Sequence, residues 1–267
     1  MWTPNSDNNG SQSVDRALGL LSLIASSPSG DLAMTEITRA CGLPRPTTRR
    51  LLLALMRAGL VEQGANSSYS LGPEALVIGA AATRRHNLLD AAAQSLVTLA
   101  AETGDVSFVS ARRDNHSICL RREEGDYPVR THVLQAGARH PLGVGAGAMA
   151  ILMALPDAEA ERVIRASRPE IEKSYPNFTE DFIRAELAAA RTRGWTVNPG
   201  KYIASSWAIG VPIMVRGGVV VGSLSLSAID RRLTEGRQAE LAPLLLREAA
   251  RVESRLRVTP RSSAATS

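Results

Sequence analysis

Two short helical patterns joined at Gly42-Leu43-Pro44 occupy residues 32–57, and this junction constrains the fold more than any other stretch. In the first pattern Met34, Ile37 and Cys41 share one face, with Thr35 in the position of an N-cap. In the second, Leu51, Leu52, Leu55 and Met56 do the same. Gly42 suits the left-handed residue that ends a helix, and Pro44 and Pro46 suit a helix start. The second helix then carries a dry face and a face of guanidiniums and hydroxyls from Arg45, Thr47, Thr48, Arg49 and Arg50. A DNA major groove accepts such a surface, because Arg forks to guanine or phosphate and Thr reaches phosphate or a thymine methyl. An ordinary helical hairpin with solvated arginines is the competing reading.

The flanks favour DNA. Val14, Ala17, Leu18, Leu21 and Ile24 recur at helical spacing between Ser13 and Ala25. Leu60-Val61-Glu62 and Tyr69-Ser70-Leu71-Gly72 bracket a polar turn over 63–68, the pattern of a two-stranded hairpin. Helix, helix-turn-helix and hairpin predict a winged helix-turn-helix DNA-binding domain over 13–72. Arg45, Thr47, Thr48 and Arg49 are the candidates for reading bases. Arg50 and the wing tip at Asn66, Ser67 and Ser68 are the candidates for holding phosphates of double-stranded DNA.

Composition agrees and excludes several classes. The net charge is +5, and the 45–57 segment holds four arginines and no acid. Aromatic residues are only 4%, too few for base stacking on aromatic platforms. The two cysteines, Cys41 and Cys119, make no disulfide framework, and the His116/Cys119 spacing supplies too few ligands for zinc. No metal or cofactor is expected. With no leader pattern and no apolar run of about 18 residues, a cytoplasmic protein without a membrane partner is expected. No G-x-S-x-G, H-E-x-x-H or Walker pattern occurs, and His86, His116, His132 and His140 suggest no triad. A metabolite-binding enzyme with a basic N-terminal module is the rival reading, and a nonspecific architectural protein a third.

Residues 1–12 and 258–267 are polar and are expected to be disordered tails. An Ala/Leu/Ile-rich segment from Pro73 reads as a linker helix over 73–88, leaving a second domain over 89–257. There a helix from Leu88 stops at Gly104, a strand pair follows over 106–111 and 117–121, and helices follow near 146–155, 157–167 and 179–193. Strands at 206–215 and 218–229 and a closing helix over 235–256 complete an α+β domain with an antiparallel sheet. The Gly143–Gly147 run lacks a βαβ setting, so it reads as a turn into a helix rather than a dinucleotide loop. Backbone N–H groups at such a start favour an anion, and close helix–sheet packing explains the glycines equally well. Ser223, Ser225 and Ser227 alternate with Leu224 and Leu226, which puts three hydroxyls on one sheet face, either solvated or lining a cavity. Ser206 and Ala208 share a face on the preceding strand, with Trp207 on the other.

In order and spacing, these pieces resemble the IclR family of bacterial transcription regulators over about Ser13 to Arg257. The residues that carry the likeness are Ser13-Val14-Asp15-Arg16-Ala17-Leu18, Cys41-Gly42-Leu43-Pro44 through Thr47, and Arg50-Leu51-Leu52. Ala58-Gly59-Leu60-Val61, Tyr69-Ser70-Leu71-Gly72, Pro141-Leu142 and Val219-Val220-Val221-Gly222-Ser223 through Arg231-Arg232-Leu233 continue it. The resemblance implies a GAF-like effector domain that binds a small, often acidic metabolite, and a homodimer or dimer of dimers on a palindromic operator. It also allows Arg50 a structural place near the core. Gly143 and Met149 stand where the family commonly has His and Lys, Asn198-Pro199 where it has an acid, and Ala208 where it often has Cys. The implied effector is an organic acid, with room for an aromatic one beside Gly143, Gly145 and Ala208. Its candidate ligands are His132, His140, Ala146, Gly147, Asn198, Ser206, Ala208, Ser225 and Ser227.

Overall fold

The computed structural model describes residues 11–27, 29–83, 88–129 and 134–258. His132 and most of both expected tails lie outside the described residues, although Gln12, assigned above to the first tail, already begins a helix. The chain divides into two compact units after residue 85.

The first unit runs α1 (Gln12–Ala25), β1 (Asp31–Ala33), α2 (Met34–Cys41), α3 (Arg45–Arg57), β2 (Val61–Gln63), β3 (Ser68–Leu71) and α4 (Pro73–Thr83). Leu20 and Ile24 of α1, Ile37 of α2, Leu51, Leu52 and Leu55 of α3, and Val61 and Tyr69 of the hairpin form one core. Gly42 closes α2 at φ +66, the left-handed conformation its position requires. The start of α2 corrects the expected Thr35 cap. The helix begins two residues earlier than that cap implies, with Ala33 at the N-cap, and the Glu36 carboxylate accepts the Ala33 backbone N–H at 2.8 Å. β1 pairs with β3, so the wing is a three-stranded sheet of order β1-β3-β2. Three residues are too few for an alternation to show in the sequence.

The second unit runs α5 (Leu88–Thr103), β4 (Val106–Arg113), β5 (His116–Glu123), β6 (Arg139–Pro141), α6 (Ala146–Met153), α7 (Asp157–Ser174) and α8 (Glu180–Arg193). It ends with β7 (Thr196–Ile203), β8 (Ser206–Val215), β9 (Val219–Ile229) and α9 (Glu235–Val258). Six antiparallel strands form one sheet in the order β6-β5-β4-β9-β8-β7. Period two divides their side chains. Val109, Leu224, Leu226, Ile209 and Val211 face α5 and α9 and form a core with Leu96, Leu99, Leu245 and Val252. The opposite face receives α6, which is apolar all round because α7 and α8 cover its outer side with Val163, Ile164, Ile183 and Leu187.

Two elements of this unit exceed the sequence reading. α7 continues to Ser174 through Pro169, and residues 196–203, given no element in the sequence reading, form β7 with Pro199 inside it. β7 is an edge strand, where a missing N–H leaves no ladder bond unmade. The curl of the sheet is the more consequential feature. Its edges, β6 and β7, would be about 24 Å apart if flat, at roughly 4.8 Å per strand. Instead the rings of His140 on β6 and Tyr202 on β7 meet edge to face with centroids 5.0 Å apart.

α6 is seated on this curled sheet by one close approach. The Ala146 carbonyl accepts the Thr196 hydroxyl at 2.7 Å, and a Cβ on Gly210 would lie 2.7 Å from the same oxygen. Gly210→Ala should therefore displace the start of α6 and lower stability by about 1–3 kcal/mol. Urea unfolding checks this: a loss below about 0.5 kcal/mol would show that the seat is loose.

Candidate functional site

The outer face of α3 is cationic. Arg45, Arg49, Arg50 and Arg57 are exposed, and among the described residues none of them makes an ion pair. At 100° per residue Arg50 and Arg57 lie on the side opposite Leu51, Leu52 and Leu55, while Arg45 and Arg49 lie along one flank of that stripe. Arg50 thus sits on the outer surface and not in the core. Thr47 is half-buried at the margin of this face.

Thr48 is a correction. Its side chain is 0% exposed, and its hydroxyl donates to the Pro44 carbonyl at 3.3 Å and lies 3.7 Å from Cys41 Sγ. It ties the start of α3 to the end of α2 and cannot reach a base. Thr47 and Thr48 differ by 100° around the helix, and the sequence reading placed the second on the wrong side of the apolar stripe.

The wing tip is also more structured than its composition indicates. Asn66 and Ser67 are exposed, and Ser67 adopts the left-handed conformation at φ +62. Ser68 is drawn inward. Its hydroxyl lies 2.5 Å from an Asp31 carboxylate oxygen and 2.6 Å from Asn66 Oδ1, and the Ser68 bond holds the Asp31 carboxyl below its usual range. A carboxylate so placed repels a phosphate, which leaves Asn66 and Ser67 as the outward groups.

In the second unit, the curled sheet and α6 border a cavity with about 570 Å³ of empty space, open solvent at its mouth included. Eight of the nine candidate ligand residues line it: His140, Ala146, Gly147 and Asn198, then Ser206, Ala208, Ser225 and Ser227. Phe108 and Ser110 of β4 and Ser117 and Cys119 of β5 join them, each pair two residues apart on one sheet face. That signal was present in the sequence but unused. Ser225 and Ser227 are buried, so their face is not solvated, and the Ser206 and Ser227 hydroxyl oxygens are 3.0 Å apart.

α6 opens toward the cavity. Its first internal bond is Met149 N–H to the Gly145 carbonyl at 3.0 Å, and the amides of Ala146, Gly147 and Ala148 precede it. Gly147 lets the sheet come close, since a Cβ there would lie 3.1 Å from Ser223 Oγ and 3.3 Å from Ser225 Oγ. First-turn amides beside serine hydroxyls suit an anionic oxygen. Among the described lining residues there is no Arg or Lys. Burial pushes the Cys119 thiol up to about 12, so it is neutral and not a nucleophile. Burial also pushes His140 down from 6.5 to about 4, with His116 adding repulsion, so the imidazole is neutral at pH 7. Among the described residues no cluster of His, Cys, Asp and Glu is placed to hold a metal ion, and no helix is long and apolar enough to cross a membrane.

Comparison with known proteins identifies both units. Residues 13–65 match the IclR helix-turn-helix domain, and residues 80–255 match the bacterial transcriptional regulator IclR C-terminal domain. The HTH-type transcriptional regulator KipR of Bacillus subtilis is 28% identical over 229 residues, 86% of this chain and 90% of that one. The crystal structure of an IclR transcriptional regulator from Alicyclobacillus acidocaldarius superposes with a TM-score of 0.75 at 25% identity, covering 92% of this chain and 98% of that one. An IclR homologue from Microbacterium hydrocarbonoxydans, complexed with 4-hydroxybenzoate, superposes at 0.72 with 19% identity, covering 92% and 99%.

The buried neutral imidazole sets a pH dependence. Its folded pKa lies below its unfolded value, so its contribution is full above about pH 6.5 and is lost as pH falls toward 4. The groups around it, Tyr175, Tyr202 and His116 with its partner Glu170, do not supply a compensating anion in direct contact. Between pH 7 and 4.5 the parent should lose about 2–3 kcal/mol more stability than His140→Phe. Parallel pH profiles of the two proteins in urea unfolding would show that this ring is not buried as described.

Proposed function

The chain belongs to the IclR family of bacterial transcriptional regulators, DNA-binding proteins and not enzymes, and from that premise we propose that it reads a two-fold operator as a homodimer or dimer of dimers, under control of a small organic acid. Residues 13–72 supply the DNA-reading module, 73–88 the linker and 89–257 the effector module. The observation that carries the DNA reading is the exposed arginine surface of α3, without an ion pair among the described residues. Arg45, Thr47 and Arg49 read bases, while Arg50, Asn66 and Ser67 hold phosphates. A second copy is supported by α4, whose Leu76, Val77 and Ile78 are exposed on a short helix, Leu76 at 76%.

The effector reading rests on the cavity. An acid's carboxylate is held by the first-turn amides of α6 and the hydroxyls of Ser225 and Ser227. Asn198 in place of an acid leaves that end free of a buried negative charge. The apolar wall at Phe108 and Val144 favours an aromatic acid, and the ligand of the Microbacterium homologue is of that class. Binding changes DNA affinity to the extent that the acid prefers one arrangement of the dimer over another.

Operator titrations test the first half. Arg45→Ala or Arg49→Ala should each cost about 1–3 kcal/mol and relax one base position per half-site, while Thr48→Val leaves selectivity unchanged. Affinity of the parent should fall on the order of a thousandfold between 50 and 200 mM salt if about 6–10 phosphates are neutralised. Undiminished selectivity in both arginine variants, or a flat salt response, would remove α3 from the interface. Calorimetry with aliphatic and aromatic monoacids tests the second half. A Ser225→Ala, Ser227→Ala protein should bind at least about tenfold more weakly, as expected for two lost bonds to a charged oxygen. Equal affinity would place the carboxylate elsewhere.

A further inference from the structure

We propose that His140 selects the effector's second polar group, so that the acid bound is a monoanionic aryl acid whose ring carries a hydroxyl hydrogen-bonded to this imidazole. The inference rests on the effector reading above and adds to it the chemistry of the far end of the ligand.

The two polar ends of the cavity lie on different walls. Ser225 and Ser227 are on β9 beneath the start of α6, whereas His140 is on β6, separated from β9 by β5 and β4. His140 is 8% exposed, and its Nδ1 is buried with no hydrogen-bond partner among the described residues. A buried nitrogen left without a partner costs about 1–3 kcal/mol, so such groups mark places where something else bonds. The ring is held in place while that nitrogen is unsatisfied. Tyr202 meets it edge to face, Tyr175 lies 5.6 Å away, and the β6 backbone pairs with Ser117 of β5.

The wall between the two ends carries the apolar side chains of Phe108, Leu134 and Val144 and the neutral thiol of Cys119, with the hydroxyl residues Ser110 and Ser117 among them. An aryl ring fits between such side chains; a flexible polar chain leaves its own groups unpaired there. The charge balance then fixes the second group. With no Arg or Lys among the described lining residues and the imidazole kept neutral by burial, a second carboxylate finds no counter-charge at this end. A hydroxyl does not need one. It donates to a neutral imidazole nitrogen, or accepts from it in the other tautomer.

Calorimetry on the full chain with benzoate, 3-hydroxybenzoate, 4-hydroxybenzoate and terephthalate tests the inference. At least one hydroxybenzoate should bind about tenfold more tightly than benzoate, as a site built for a hydroxyl discriminates against its absence. In His140→Phe that gap should shrink to about twofold, and His140→Gln should restore part of it. Equal affinity for benzoate and both hydroxybenzoates, a gap that persists in His140→Phe, or tightest binding of terephthalate with proton uptake would each overturn the proposal. Nitrogen-15 NMR of the imidazole in the unaltered protein gives a readout free of folding effects. Nδ1 should shift with a hydroxybenzoate and not with benzoate, and identical responses would overturn the proposal as well. Benzoate binding without hydroxyl preference removes only the role of His140, whereas a folded protein that binds none of the four acids loses the aromatic-acid reading altogether.

Discussion

The seating of α6 on the sheet is the contact on which the second unit's chemistry depends. The Thr196 hydroxyl bonds the Ala146 carbonyl, and Gly210 leaves the space that this carbonyl needs. That single approach fixes where the first-turn amides point and how far they stand from Ser225. The curl of the sheet does the rest by bringing edge strands β6 and β7 together at His140 and Tyr202. A flatter sheet with the same residues would leave the serines solvated and the imidazole in water. The cavity is a product of curvature as much as of composition.

Local pattern made much of this legible. The apolar stripe of α3, the alternation of β9 and the Gly-rich entry to α6 each follow from a period that the sequence displays directly. Eight of the nine residues proposed for the effector site line one cavity because period two and a helix start already oriented them. What stayed hidden depends on distant partners. Thr48 looks like Thr47 until α2 is packed against it, and Ser68 looks like a free wing hydroxyl until β1 brings Asp31 beside it. β7, with Pro199 inside it, is unassigned in the sequence reading, and a Pro is tolerated there because the strand is an edge. Phe108, Ser117 and Cys119 have the right alternation, but only the strand order shows which face they share with Ser225.

The two units answer different physical demands. The first needs an exposed, uncompensated cationic helix, at a cost in self-repulsion that DNA relieves. The second, on the proposed reading, needs a cavity with a few polar groups; its described lining residues include no Arg or Lys, so an acid would be recognised by amides and hydroxyls. These are bonds whose strength depends on geometry, and small changes in the seat of α6 alter them. A ligand bound in this way acts on DNA affinity only through its preference among protein states, and that preference works in both directions.

Reciprocity gives the most direct measurement. The affinity of the protein for its operator is determined with and without a saturating aryl acid, and acid affinity is determined with and without operator. The account requires both ratios to depart from unity by the same factor, of about 5–150 in a typical coupled pair. Ratios of one in both directions, with acid and operator each binding, would contradict it.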